Sequence, residues 1–201
     1  MAQSLSSARQ ISFPLMAMNT AVLFLIALSR MLRLPDLIDM ASDEIWSIWQ
    51  TQGTAQQIVQ WTPYDWPPLY YLLLGGWRVL VGMHPIALRM LSLLLFMLAS
   101  AVVFRLMRRL GAPPPAAMLG VLAYSALGYA VFVSLYVRGY TLVTLLAPLV
   151  LWLTLRYFAR PTLRRALPLG LTLAAMFYTT LSTLGMFLAL GLFSLIVYRK
   201  Q

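Results

Sequence analysis

The chain has only five carboxylates, Asp36, Asp39, Asp43, Glu44 and Asp65, and all of them lie in one stretch. Asp43 and Glu44 are adjacent in SDEIWSIW, where Ser42 is placed to cap a helix and both acids fall in its first turn. A carboxylate there can take a proton from an acceptor hydroxyl. HPIALR (84–89) carries the single His84 and Arg89, and SLYVRGYTL (134–142) carries Arg138 and Tyr140. A guanidinium grips a phosphate through two parallel hydrogen bonds. Carboxylates and arginines at one interface therefore suit group transfer from a phosphorylated lipid.

Each group also has a plainer reading. Asp43 and Glu44 would stabilise a helix N-terminus by about 0.3–1 kcal/mol each. Arg138 on its own reads as an arginine snorkelling to headgroups. His84, before Pro85, reads as a loop residue, and Asp36 and Asp39 as solvated loop acids. With one His and no Cys, multi-histidine, haem and thiolate metal sites within this chain are excluded, as are disulfides. No metal ligand is assigned. Two or three loop carboxylates could hold a divalent metal, and the sequence leaves that open.

The elements that hold these groups are apolar. The 201 residues are 61% hydrophobic with mean hydropathy +0.80, and only 10% are charged, against about 25% in soluble domains. Apolar runs near the length of a transmembrane helix recur from end to end, without the alternating segments of a β-barrel. The net charge of +10 is no nucleic-acid signature, because the arginines sit at the ends of apolar runs. The expectation is an all-α polytopic membrane protein with about six transmembrane helices and one or two membrane-lying helices. It forms a single module over residues 1–201, multi-pass in the cell (inner or plasma) membrane, with both termini cytoplasmic and the lipid bilayer as a partner.

Residues 11–29 form the first span, retained because no small-residue cleavage site follows. Arg30 and Arg33 oppose that orientation unless they snorkel. Residues 31–85 form a large extracytoplasmic loop, where Trp46, Trp49, Trp61 and Trp66 suit interfacial helices. Residues 69–83 open on Pro67 and Pro68 and carry Arg78. If they crossed, the Arg105, Arg108 and Arg109 cluster would face outward, so they are read as lying in the interface. Residues 86–104 then run inward, GAPPP (111–115) turns, 116–134 run outward and 140–155 return. Arg156, Arg160, Arg164 and Arg165 make a second cytoplasmic cluster. Residues 167–198 would be about 48 Å of helix, too long for one crossing of a core about 30 Å thick. They are read as two short helices with a break near Thr179–Thr183.

Three stretches, in this order, resemble the N-terminal half of GT-C glycosyltransferases of the family 39, dolichyl-phosphate-mannose-protein-mannosyltransferase-like group. They are the Asp43-Glu44 pair, YDWPPLYYLLLGGWRVLVGMHPIALRMLSLL (64–94), and SLYVRGYTL (134–142). The likeness covers nearly the whole chain. It implies transfer of a sugar from a polyprenyl-phosphate donor on the extracytoplasmic face. By resemblance, Asp43 is the catalytic carboxylate with Glu44 beside it, Asp65 lines the site and Arg138 faces the donor phosphate. His84, Arg89 and Tyr140 fall on the same outer side and complete the expected substrate-binding set. The chain departs at Trp66, where many relatives have His, and at Leu135-Tyr136-Val137, which lacks their polar and acidic residues. Relatives also carry a C-terminal part, so the alternative is a truncated, non-catalytic GT-C-like integral subunit of a larger membrane complex.

Overall fold

The computed structural model describes residues 13–62 and 66–198, and every regular element among them is helical. In chain order these are α1 (Phe13–Met31), a 3-10 turn (Pro35–Leu37), α2 (Ser42–Trp49), α3 (Ala55–Trp61) and α4 (Leu69–Val81). After them come α5 (Pro85–Arg109), α6 (Pro114–Ala126), α7 (Gly128–Val133), α8 (Tyr140–Ala159) and α9 (Leu163–Phe177). A second 3-10 turn (Leu181–Thr183) leads into α10 (Leu184–Tyr198).

α5 is the central rod. It packs most heavily on α8, and also on α6, α1 and α4. One core forms where Leu88, Leu91 and Leu95 meet Tyr70, Leu74, Val150 and Met176. A second lies between α1, α5 and α6, around Ile26, Phe96, Phe104, Ala117 and Val121. Ser92, Ala99 and Ser100 of α5 are fully buried. Small residues such as these let neighbouring helix backbones approach closely.

The rods alternate in direction. The Arg30 guanidinium, at the last turn of α1, donates to the Ser125 carbonyl at the last turn of α6. It also sits over the Phe96 ring, 6.0 Å from its centroid. Arg30 is thus folded inward between helices and does not snorkel as expected. α9 and α10 form the antiparallel hairpin. The Phe177 and Phe187 rings meet at 6.5 Å, and Leu169 and Leu173 share a cleft with Phe187, Leu190 and Ser194. Thr180 caps the break, its hydroxyl accepting from the Ser182 N–H.

α4 lies across one end of the bundle. The Leu69 N–H donates to the Tyr178 carbonyl at 3.0 Å, Trp77 Nε1 to the Ala87 carbonyl at 2.9 Å, and Arg78 Nη2 to the Thr51 carbonyl at 2.7 Å. Both ends of α4 are therefore tied to the same end of the bundle. Gly75 permits the approach of α3, because a Cβ there would sit 3.0 Å from Ile58 Cδ1.

Two described helices, Pro85–Arg109 and Tyr140–Ala159, are long and apolar enough to cross a membrane. That is fewer than the six expected. The expected span 116–134 breaks at Leu127, leaving α6 with 13 residues. α9 and α10 have 15 residues each, short of the ~20 a bilayer core asks. α9 also carries Arg164, Arg165 and Pro168 in its first half.

α8 contains Pro148. Proline has no N–H, so the carbonyl four residues earlier loses its helical donor. That carbonyl belongs to Thr144, and the Tyr124 hydroxyl of α6 donates to it instead at 3.3 Å.

Candidate functional site

Asp43 and Glu44 occupy the second and third positions of α2. The N-cap is Ala41, one residue earlier than expected, with extended φ −66° and ψ 154°. Alanine has no capping oxygen, so the Glu44 carboxylate supplies the local bond, its Oε2 accepting from the Ala41 N–H at 3.1 Å.

The two neighbouring acids have opposite environments. Glu44 is 1% exposed. Arg89 Nε donates to its Oε1 at 3.2 Å, and Arg89 Nη2 to its Oε2 at 2.6 Å. The Val137 N–H donates to Oε1 at 3.0 Å. With Ala41, each carboxylate oxygen accepts two hydrogen bonds. Arg89 is itself buried, and its Nη2 also donates to the Asp39 carbonyl at 3.1 Å. Glu44 therefore joins α2, α5 and the segment before α8. These are the three stretches singled out in the sequence.

Asp43 is 53% exposed in its side chain, and its Oδ2 lies 4.0 Å from Arg138 Nη2. Arg138 Nη1 reaches the Asp43 carbonyl at 3.4 Å and Ser47 Oγ at 3.5 Å. The guanidinium lies over the Trp66 ring, 4.5 Å from its centroid, and Trp66 meets Tyr140 edge-on at 5.1 Å. Arg138 is thus folded onto α2 between an acid and an indole, where snorkelling would have turned it outward. Trp66, expected as an interfacial aromatic and a departure from the resembled motif, supplies the surface that holds it.

Tyr136 lies close by, and burial followed by the Asp43 and Glu44 carboxylates pushes its hydroxyl above the ordinary tyrosine range. A cavity of about 360 Å³ opens between Arg33, Asp39, Glu44, Arg89, Phe132 and Tyr136, within the size range of small-ligand sites. On the opposite face of α2, Ser42, Ile45, Trp46 and Trp49 line an open apolar patch. Trp46, Trp49 and Trp61 continue it as an aromatic row, with centroids 5.4 and 5.7 Å apart.

The remaining expectations divide. Tyr140 joins the Asp43–Arg138 group through Trp66. His84 is exposed at the N-cap of α5, and no hydrogen bond or ion pair among the described residues joins it to Asp43 or Arg138. Arg89 is taken up by Glu44. Asp65 lies outside the described residues. No three described His, Asp or Glu side chains converge to hold a metal ion, so the divalent metal left open by the sequence has no described ligand set. Sequence reasoning missed Ser47, although it stands one helical turn after Asp43. It also missed the Val137 N–H, which only the folded chain brings to Glu44.

Comparison with family models, with curated proteins and with solved structures returns no match to this chain.

Proposed function

We propose that the chain is a multi-pass membrane glycosyltransferase of the GT-C kind, or its N-terminal module. It transfers a sugar from a polyprenyl-phosphate donor at the end that carries Asp43 and Arg138. The observation that carries this reading is the contrast between the two acids. Glu44 is buried and fully hydrogen-bonded, whereas Asp43 stands open to solvent 4.0 Å from a guanidinium.

In the proposed step, the Asp43 carboxylate accepts the proton of an acceptor hydroxyl. The acceptor oxygen forms a bond to the anomeric carbon as the carbon–oxygen bond to phosphate breaks on the opposite side, so the configuration inverts. The electron pair leaves with the phosphate, and Arg138 holds that charge by hydrogen bonding. Trp66 sets the guanidinium plane and Tyr140 sets Trp66. Glu44 and Arg89 position α2 against α5 without touching the reacting atoms. Six crossings, both termini cytoplasmic and an extracytoplasmic site at the acid-bearing end belong to the same proposal. The alternating rods and the transverse α4 support it.

Asp43→Asn should lower transfer from a polyprenyl-phosphate sugar by roughly 10²- to 10⁴-fold while the protein still reaches the membrane at wild-type level. Unchanged turnover in that variant would remove the assignment. A second reading, a non-catalytic subunit, has its own support in the outward apolar face formed by Leu171, Leu188, Leu192 and Leu195. Stoichiometric co-purification with unrelated membrane subunits, without sugar transfer, favours it. Transfer by the isolated chain excludes it.

A further inference from the structure

The opposite end of the bundle carries charge that no carboxylate among the described residues answers. Arg105, Arg108 and Arg109 close α5, and Arg156, Arg160, Arg164 and Arg165 surround the turn from α8 to α9. No Asp or Glu exists outside residues 36–65. The two ion pairs among the described residues are Arg89–Glu44 and Arg138–Asp43, both at the other end. The arginines bond to carbonyls instead: Arg109 Nη2 to Leu155 at 3.2 Å, Arg108 Nη1 to Ala112 at 2.7 Å, and Arg165 Nη1 to Arg156 at 2.9 Å. Carbonyl bonds leave the positive charges uncompensated.

Two apolar clefts lead up to this rim. One, of about 300 Å³, lies between α5, α8 and α10 and is lined by Leu106, Leu110, Leu151, Leu155, Met186 and Phe193 among others. The second, of about 370 Å³, lies between α8, α9 and α10, around Tyr157, Phe158, Leu173, Phe187 and Ser194. They share Thr154 and Leu190 as a common wall. The Arg109 guanidinium bonds the carbonyl of Leu155, a residue that lines the first cleft, and the Arg156 guanidinium lies over Trp152 at 4.6 Å.

We propose that this end is a binding site for an anionic diacyl phospholipid, with one acyl chain in each cleft and the phosphate held by Arg109 and Arg156. The inference rests on the membrane part of the proposed function and is independent of sugar transfer. Uncompensated positive charge calls for an anionic occupant, and two clefts parted by a single wall call for two hydrocarbon chains. Basic pockets between helices of this kind hold phospholipid headgroups. A second copy of the chain fits poorly, because it would bring the same arginines to the same rim. The site is also separate from the Asp43–Arg138 group, which sits beyond the other end of α8, about 30 Å of helix away.

The test uses the full chain purified in neutral detergent, exchanged with equimolar phosphatidylglycerol and phosphatidylcholine of matched acyl chains, with retained lipid read by native mass spectrometry. Phosphatidylglycerol should be retained at least tenfold over phosphatidylcholine. Arg109→Gln with Arg156→Gln should bring that ratio close to one. Ala189→Trp, which fills the first cleft, should lower retention of both lipids. Helical signal and melting temperature certify the fold of each variant; if Ala189→Trp fails them, the arginine pair decides alone. Equal retention by the wild type, a ratio unchanged in the double variant, or equal competition by glycerol 3-phosphate overturns the proposal. So does a dimer that disappears in Ala189→Trp. Release of the chain from vesicles by carbonate without detergent defeats the membrane reading itself, a result distinct from loss of lipid selectivity.

Discussion

Glu44 shows how little a pair of adjacent acids reveals in one dimension. The sequence places both carboxylates in a first helical turn, and that much the fold bears out. Burying one and exposing the other depends on Arg89 and on the Val137 N–H, which are remote along the chain and adjacent in space. A buried ion pair is costly to break from one side, because the surviving charge keeps its desolvation penalty. Glu44→Gln or Arg89→Met should each destabilise the protein by about 3–5 kcal/mol. The double variant should lose clearly less than the sum of the two. Thermal melting of the four proteins in detergent measures this; additive losses would show that the pair contributes nothing through its mutual contact. Trp66 was visible in the sequence as one of four loop tryptophans and as a departure from the resembled motif. Its role over Arg138 becomes visible once the segment before α8 is seen folded against α2.

Among the elements, helix existence was legible and helix ends were less so. The apolar runs at 86–104 and 140–155 became α5 and α8, but both continue, to Arg109 and Ala159. Arginine is a good helix former and favours the carboxyl end of the helix dipole, so a basic residue there does not stop a helix. The break at Leu127 carried no proline to mark it. Counting crossings read α4 as a helix that does not cross; its bonds to Tyr178, Ala87 and Thr51 tie both its ends to one end of the bundle. The turn after α5 has a recognisable stop. Gly111 has φ +93°, its N–H donates to the Arg108 carbonyl at 3.2 Å, and the Ala112 N–H donates to Met107 at 3.0 Å. A side chain pays a steric cost in that left-handed region. Gly111→Ala should lower stability by about 1 kcal/mol, seen as a lower melting temperature with unchanged helical content. A neutral result would mean that the turn relaxes without it.

For the molecule as a whole, charge is sorted along the bundle. The described carboxylates gather at one end and seven arginines, at positions 105, 108, 109, 156, 160, 164 and 165, at the other. That sorting was legible from the sequence alone, because it needs only the alternation of apolar rods. Which rods meet was not, since contacts such as Arg30 with Ser125 join residues far apart in the chain. Orientation can be read directly, as the chain has no native cysteine to remove. Ile38→Cys and Leu163→Cys occupy exposed positions near opposite ends. An impermeant maleimide added to intact cells should label position 38, and position 163 only after lysis. Labelling of both from one side would defeat the proposed sidedness. Pro148 adds a mechanical consequence. It divides α8 into an upper arm that carries Tyr140 and a lower arm that borders the arginine clefts, and a single phenol from α6 bolts the joint. The backbone ladder of α8 is one rung short at that point, so any bend in this otherwise continuous helix would fall between the arm on the acid-bearing side and the arm on the arginine side.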